Sequence, residues 1–507
     1  MNLKAIEIFS EYQKGSEFKA SLGTKGLLEQ NKINERFFLG DQWHGARLSG
    51  DKPLVRHNVI KRIGDYKMSQ ILNEKTRVDF SAEGSSINRE PETAPVMKAF
   101  SDYFAVSAER VNLEALTANA LKNAYVSGSA LLYTYWNPLL ETGTFADAKG
   151  KVPIKGDISC ELLKIEDTVF GDPYCEVLQN QPYIIISAKK KVENVLKEAR
   201  IFGADLSTLS LIEESATDGK VLVLTKFYKT YTPEKGFKVM AIKATEKAIV
   251  RPEFSTNLRL YPFAQLNWET RSNLAYGESE VTHLIPNQIA INRLITANVW
   301  SAMSTGLPIM LVNGDTVSDK ITNDPAQIIK IYGSNEDVAG AVKYVTPPAI
   351  IKEFDESINN LINNTLTQSG ANEVALGDMK AENASALMTM RDAALMPLRL
   401  IKSRYYTFLE DLARVWADFW ITHYGKRQIK LKDENGYKYI NFDADKYKSL
   451  IINAKISLLK TSDYSEKEQL ETLLTLFDKG IITKSELLSR IPKGLVPDID
   501  EISREEQ

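Results

Sequence analysis

The residues able to do chemistry are few and far apart. The four histidines, His44, His57, His283 and His423, fall in different segments; His44 and His57 could meet in space, but a structural role is the expectation for them. Cys160 and Cys175, the only cysteines, lack the spacing of a zinc site, and so small a number fits a reducing compartment with two packed thiols. Asp172 has no carboxylate or histidine at ligand spacing, and Gly171-Asp172-Pro173 reads as a turn. Lys25, in Gly23-Thr-Lys-Gly26, does not sit in a phosphate-binding loop. No His-Glu-x-x-His and no nucleophile elbow occurs. The expectation is a protein that is not an enzyme and holds no cofactor or metal; the alternative is an enzyme whose active site the sequence does not advertise.

With 507 residues, 43% of them apolar and a net charge of −3, the chain is long enough for more than one core and is ordinary in composition. It lacks the basic excess of a tight nonspecific DNA binder. No apolar run reaches membrane-spanning length and the first residues do not read as a signal peptide, so a soluble chain made inside a cell is expected, with no membrane partner.

The stretch from Tyr276 to Gly425 organises the rest. A short helix should end near Pro286, which biases the preceding residue away from helix. A second should run from Asn287 to about Ser304, free of Glu and Lys but rich in polar side chains, with Ile289, Ile295 and Val299 among its packing residues. Between 307 and 348 the period shortens: Ile309–Val312, Ile328–Tyr332 and Val342–Val345 are strand-like and separated by turn signals. From Ile350 to Gln368 a 3.6-residue period returns, carried by Phe354, Ile358 and Leu361 among others. Residues 370–382, with Gly370 and Gly377, read as a mobile loop containing Glu373, Asp378, Met379, Lys380 and Glu382. A long helix should follow to Gly425, kinked at Pro397 where the Ala393 carbonyl loses its donor.

Upstream, helices are expected over 24–38, after the cap Asn58, and between Val96 and Ser127 with an interruption near Ser107. Residues 83–95 read as a polar loop. Arg77–Phe80 and Ala130–Trp136 should be extended, and 154–262 should be mostly strands around one helix at 189–200. Downstream lie a hairpin around Asn435-Gly436, a strand at Ile451–Leu459, and capping boxes at Ser465–Glu468 and Thr483–Glu486 before an acidic end.

This order of parts resembles the portal proteins of tailed bacteriophages. The likeness rests on Asn34-Glu-Arg-Phe-Phe-Leu-Gly-Asp-Gln-Trp43, Pro262-Phe-Ala-Gln-Leu-Asn-Trp268, Gly277-Glu-Ser279, Pro286-Asn-Gln-Ile-Ala-Ile-Asn-Arg293 and Asn383-Ala-Ser-Ala-Leu387, and covers about residues 31–492. It implies an α+β portal-type fold: an α/β wing (1–273), a stem helix (274–306), a small α/β clip (307–348), a second stem helix (349–369), a tunnel loop (370–382), a long kinked helix with returning strands (383–461), and a helical crown with an acidic tail (462–507). It further implies a homo-oligomeric ring, a dodecamer, at one capsid vertex of the virion, assembled in the host cytoplasm. Double-stranded DNA would pass through it, driven in by a large terminase subunit. The partners implied are the major capsid or scaffolding protein and adaptor or tail proteins, with Asp319 and Asp324 of the clip as docking candidates. The competing reading is a packaging-associated, nuclease-like enzyme.

Overall fold

In a computed structural model the described residues are 2–44, 53–83, 90–146, 152–233, 236–305, 309–312, 334, 342–345, 351–371, 395–433, 436–448, 450–459, 470, 473–483, 486–487 and 491. The fold is mixed α+β with antiparallel sheets. The chain divides into two compact units. One comprises Met1–Leu28, Lys67–Glu278 and Leu398–Gln507, and the other Glu29–Tyr66 and Ser279–Pro397.

The helices of the first unit include α1 (Leu3–Ser21), α4 (Glu90–Arg110), α5 (Leu113–Ser127), α6 (Val192–Ile201), α7 (Leu206–Glu214) and α10 (Arg399–His423). Helices α2 (Leu27–Leu39) and α3 (Val59–Leu72) carry the chain across the division. One sheet runs β10 (Phe263–Asn267), β2 (Ser129–Phe145), β13 (Lys426–Asp433), β14 (Gly436–Asp443), with β3 (Pro153–Leu163) also on β2. A second runs β4 (Thr168–Phe170), β5 (Tyr183–Lys191), β7 (Lys220–Thr232), β8 (Gly236–Ala244), β9 (Ile249–Ser255), and β6 (Ala216–Thr217) pairs with β7. β1 (Lys75–Glu83) pairs with β15 (Ile451–Leu459).

Helix α10 forms because its apolar residues make a broad stripe rather than a narrow seam. Tyr405, Phe408, Leu409, Leu412, Trp416 and Trp420 are all buried, and the helix packs on β10 and β15. Trp420 meets Phe100 at 5.4 Å and Tyr103 at 5.3 Å between ring centroids, and Trp416 meets Phe104 at 4.7 Å. Truncating either Trp would cost about 3–5 kcal/mol. Under this core Asp157, fully buried, accepts from Tyr103 at 2.7 Å, Arg110 at 2.5 Å and the Ile158 amide at 2.7 Å, so its charge is enclosed but fully bonded.

Gly128 and Gly277 meet backbone to backbone. A Cβ on Gly128, whose φ is +82°, would stand 2.6 Å from the Gly277 oxygen. Around this contact Trp268 N–H donates to the Gly128 carbonyl at 2.9 Å and Glu278 N–H to that of Glu269 at 2.8 Å. The Pro262–Trp268 and Gly277–Ser279 segments thereby come together.

Several expectations need correction. Residues 83–95 are not a loop throughout: β1 extends to Glu83 and α4 starts at Glu90 with Pro95 inside it. Pro91 falls where no intrahelical donor is needed, whereas Pro95 lies past the first turn and leaves the Pro91 carbonyl without its donor. The interruption after Val96 comes at Val111–Asn112, where Asn112 takes φ +52°, rather than at Ser107. Lys189–Lys191 belong to β5 and the helix starts at Val192. Helices α1 and α7 and strand β9 had no counterpart in the sequence reading. The hairpin, the β15 strand and the caps at Asn58 and Thr483–Glu486 stand where expected, with Lys61 N–H on Asn58 Oδ1 at 3.0 Å and Thr483 N–H on Glu486 Oε2 at 2.9 Å. The Ser465–Glu468 box lies outside the described residues.

Candidate functional site

The second unit is built on α8 (Glu280–Thr305) and α9 (Ile351–Gln368), with β11 (Ile309–Val312) and β12 (Val342–Val345) paired between them in sequence. The two helices run antiparallel: Asn287 Nδ2 donates to Thr365 Oγ1 at 3.3 Å, and eleven residues further along α8 Asn298 Nδ2 donates to Asp355 Oδ1 at 2.6 Å, back toward the start of α9. Two antiparallel helices thus carry a two-stranded antiparallel ladder in the connection between them.

Pro286 does not end a helix; α8 is continuous through it. Only the Thr282 carbonyl loses a donor, and the buried Val281, Leu284 and Ile291 hold the helix on both sides of the proline. The sequence bias against helix at the residue before proline was outweighed by this packing.

The uncharged polar face of α8 has a specific partner. Gln288, Asn292 and Thr296, one turn apart and all buried, accept from the backbone of the segment that leads into α3, at Val55, His57 and Val59, the first residue of that helix. Val55 N–H donates to Thr296 Oγ1 at 3.3 Å, His57 N–H to Asn292 Oδ1 at 3.1 Å, and Val59 N–H to Gln288 Oε1 at 2.9 Å. The spacing explains the fit: every second residue of an extended chain repeats at about 6.6 Å, and every fourth residue of a helix at about 6.0 Å. Gln288 Nε2 returns a bond to the His57 carbonyl at 2.6 Å, and Asn292 Nδ2 donates to Gln42 Oε1 at 2.6 Å. Asn34, fully buried, donates to Thr282 Oγ1 at 3.0 Å. The Asn34–Trp43 and Pro286–Arg293 segments are therefore partners in one hydrogen-bond ladder. The sequence reading missed these residues; the amide-x-x-x-amide-x-x-x-Thr spacing in an uncharged helix was the available signal.

Of the predicted stem residues, Ile358 is buried, while Ile289, Ile295, Val299 and Leu361 are half-buried; the Phe354 side chain lies outside the described residues. The loop candidates Glu373, Asp378, Met379, Lys380 and Glu382, the clip candidates Asp319 and Asp324, and the strand Ile328–Tyr332 also lie outside them. Pro397 stands in a 3-10 turn, Met396–Leu398, between the helical Leu395 and α10, so the α-helical bonding is interrupted at the proline. A Cβ on Gly370 would touch Pro397 Cβ at 3.0 Å, so the chain leaves α9 and re-enters near one point.

His44 faces Asp41 at 3.6 Å. Asp172 accepts from Tyr174 N–H at 3.0 Å in a turn held by Gln181. Cys160 and Cys175 are free thiols, and burial pushes Cys160 up to about 11. Burial lowers Lys19 to about 8, where it donates to the Glu166 and Thr168 carbonyls. Among the described residues no three His, Cys, Asp or Glu stand together as a metal site, and no helix is long and apolar enough to cross a membrane.

No protein-family model and no curated protein matches this chain.

Proposed function

We propose that this chain is the subunit of a portal-type ring, a passive conduit for double-stranded DNA at a capsid vertex, loaded by a separate terminase motor and later a docking platform for adaptor or tail proteins. The observation that carries the reading is the antiparallel α8–α9 pair with the β11–β12 ladder between its helices, the arrangement expected of a stem and clip. Charge supports it. Across α8 and α9 the basic residues are only Arg293 and Lys352, against Glu280, Glu353, Asp355 and Glu356. A surface that lets DNA slide must not hold phosphates through many Lys and Arg contacts, since each such contact adds salt-dependent affinity. On the stem the exposed Met303, at 55%, and the half-buried Ile295 and Val299 offer apolar area to a neighbouring copy.

Mass measurement of the purified particle tests the reading: a closed ring, dodecameric by the family resemblance, is expected. A monomer with nuclease or hydrolase activity would overturn it. Ile295→Asp should disrupt the ring, whereas Ile358→Asp reports on folding, because Ile358 is buried within its own unit. The isolated ring should bind DNA weakly, and a nanomolar Kd at physiological salt would count against a passive conduit.

A further inference from the structure

Helix α9 repeats the pattern that α8 uses, and exposes it. Asn359, Asn363 and Thr367 follow the amide-x-x-x-amide-x-x-x-Thr order of Gln288, Asn292 and Thr296, yet all three are exposed and none makes a side-chain hydrogen bond to another described residue. Folding does not call for them, because asparagine is a poor helix former and an exposed helix face ordinarily carries Ala, Lys or Glu. On α8 the same row binds an extended backbone at matched spacing.

The complementary half is also exposed. In an extended segment, alternate residues turn their N–H and C=O groups to opposite edges. Val55 and His57 face α8, so Leu54 and Arg56 present the other edge, and among the described residues their backbone groups form no hydrogen bond. Both residues are exposed. Arg56 adds a positive charge to this edge, and Asp355 and Glu356 add negative charge at the start of the α9 row.

From these we infer that the open edge of the Leu54–Arg56 segment of one copy docks on the Asn359–Asn363–Thr367 row of a second copy. The strap would then be held between two amide rows, its own subunit's on α8 and its neighbour's on α9. The two surfaces differ, so the contact is heterologous, the kind that closes rings. The inference rests on the ring reading and names the surface through which copies recognise each other: main-chain hydrogen bonds to side-chain amides, with an Arg56–Asp355/Glu356 attraction fixing direction.

Arg56→Cys and Asn363→Cys, each placed in a chain whose native Cys160 and Cys175 are replaced by serine, can on co-assembly and oxidation form a mixed disulfide only between copies. A covalent dimer specific to the mixture, absent when either variant is oxidised alone, is the expected result. Asn359→Asp with Asn363→Asp, which replaces donors by acceptors and adds repulsion toward a carbonyl edge, should raise the protein concentration for half-assembly by about tenfold or more, while Asn359→Gln should not. A ring that forms normally in the Asp variant and gives no mixed disulfide overturns this contact and leaves the ring reading standing. A chain that is monomeric at every concentration overturns both.

Discussion

Gln288 treats His57 as a neighbouring β-strand would: its Nε2 donates to the His57 carbonyl at 2.6 Å while its Oε1 accepts from the amide of Val59, two residues on, at 2.9 Å. The same Oε1 also takes the Ile60 N–H at 3.2 Å, and Asn58 Oδ1 takes that of Lys61 at 3.0 Å. Two side chains thereby satisfy the first amides of α3, which have no partner within their own helix.

Gln288→Leu removes four bonds, those to the Val59 and Ile60 amides, the His57 carbonyl and Asn292 Oδ1, while the Val59 N–H keeps its bond to the His57 carbonyl at 2.9 Å. Leucine also offers Asn292 no partner in their place, and a loss of about 1–3 kcal/mol is expected in urea unfolding. A loss under about 1 kcal/mol would mean that the ladder contributes little to holding the strap. Asn292→Leu should behave alike, since it strands the His57 amide and Gln42.

How far the fold was legible follows from this pair. The polar, uncharged character of α8 is visible along the sequence, but its cause lies 231 residues away in His57, and periodicity reports only local order. Strands β2, β5 and β7 and helix α9 were readable because each buries a set of side chains on a regular period. Helix α1 was not. It anchors through Ala5 and Ile8 with little else buried on an otherwise polar surface, so its pattern is faint. Helix α4 hid behind Pro91 and Pro95: a proline reads as a break, and only Pro91 stands where the helix needs no donor, while Pro95 is carried inside it. The amide row of the candidate site was present as a spacing, yet it became recognisable only with its backbone partner in place.

Gly128 and Gly277 should tolerate no side chain. Gly128→Ala combines a positive φ with a Cβ 2.6 Å from a backbone oxygen, and Gly277→Ala puts a Cβ 2.4 Å from the Gly128 oxygen. Backbone cannot swing aside as a flexible side chain would. Each variant should lose about 2 kcal/mol or more, read as a fall in melting temperature. A melt unchanged within error for either would show that the two turns separate freely.

His423 gives the fold a pH dependence of known sign. It stacks on Trp136 at 4.8 Å and on Phe419 at 5.8 Å, and burial holds its pKa below the ordinary histidine value. In the unfolded chain it takes a proton near pH 6.5, above the pH at which the folded chain does so. Between those two values the unfolded state binds more protons, so stability falls as pH drops below about 6.5. His423→Phe keeps the stacking and removes the titration. Urea unfolding at pH 7.5 and 5.5 should therefore show a larger loss for the native protein than for His423→Phe, and equal losses would assign the acid sensitivity elsewhere.

Removal of Glu373–Lys380 should spare the fold. Gly370 lies against Pro397, so the chain on either side of this stretch is already held together, and shortening a closed excursion changes its closure entropy only slowly with length. Leu366, Ala371 and Leu398, which anchor its two ends, are buried and remain in place. The Ala371 N–H also keeps its bond to the Leu366 carbonyl at 2.9 Å, so the turn at Gly370 needs nothing from the deleted residues. On the ring reading the stretch is the tunnel loop, and its loss should leave assembly and melting temperature unchanged while lowering the amount of DNA packaged or retained. Particles of the deletion variant that package and keep DNA normally would take the loop out of the mechanism; particles that fail to assemble would make it a structural element instead.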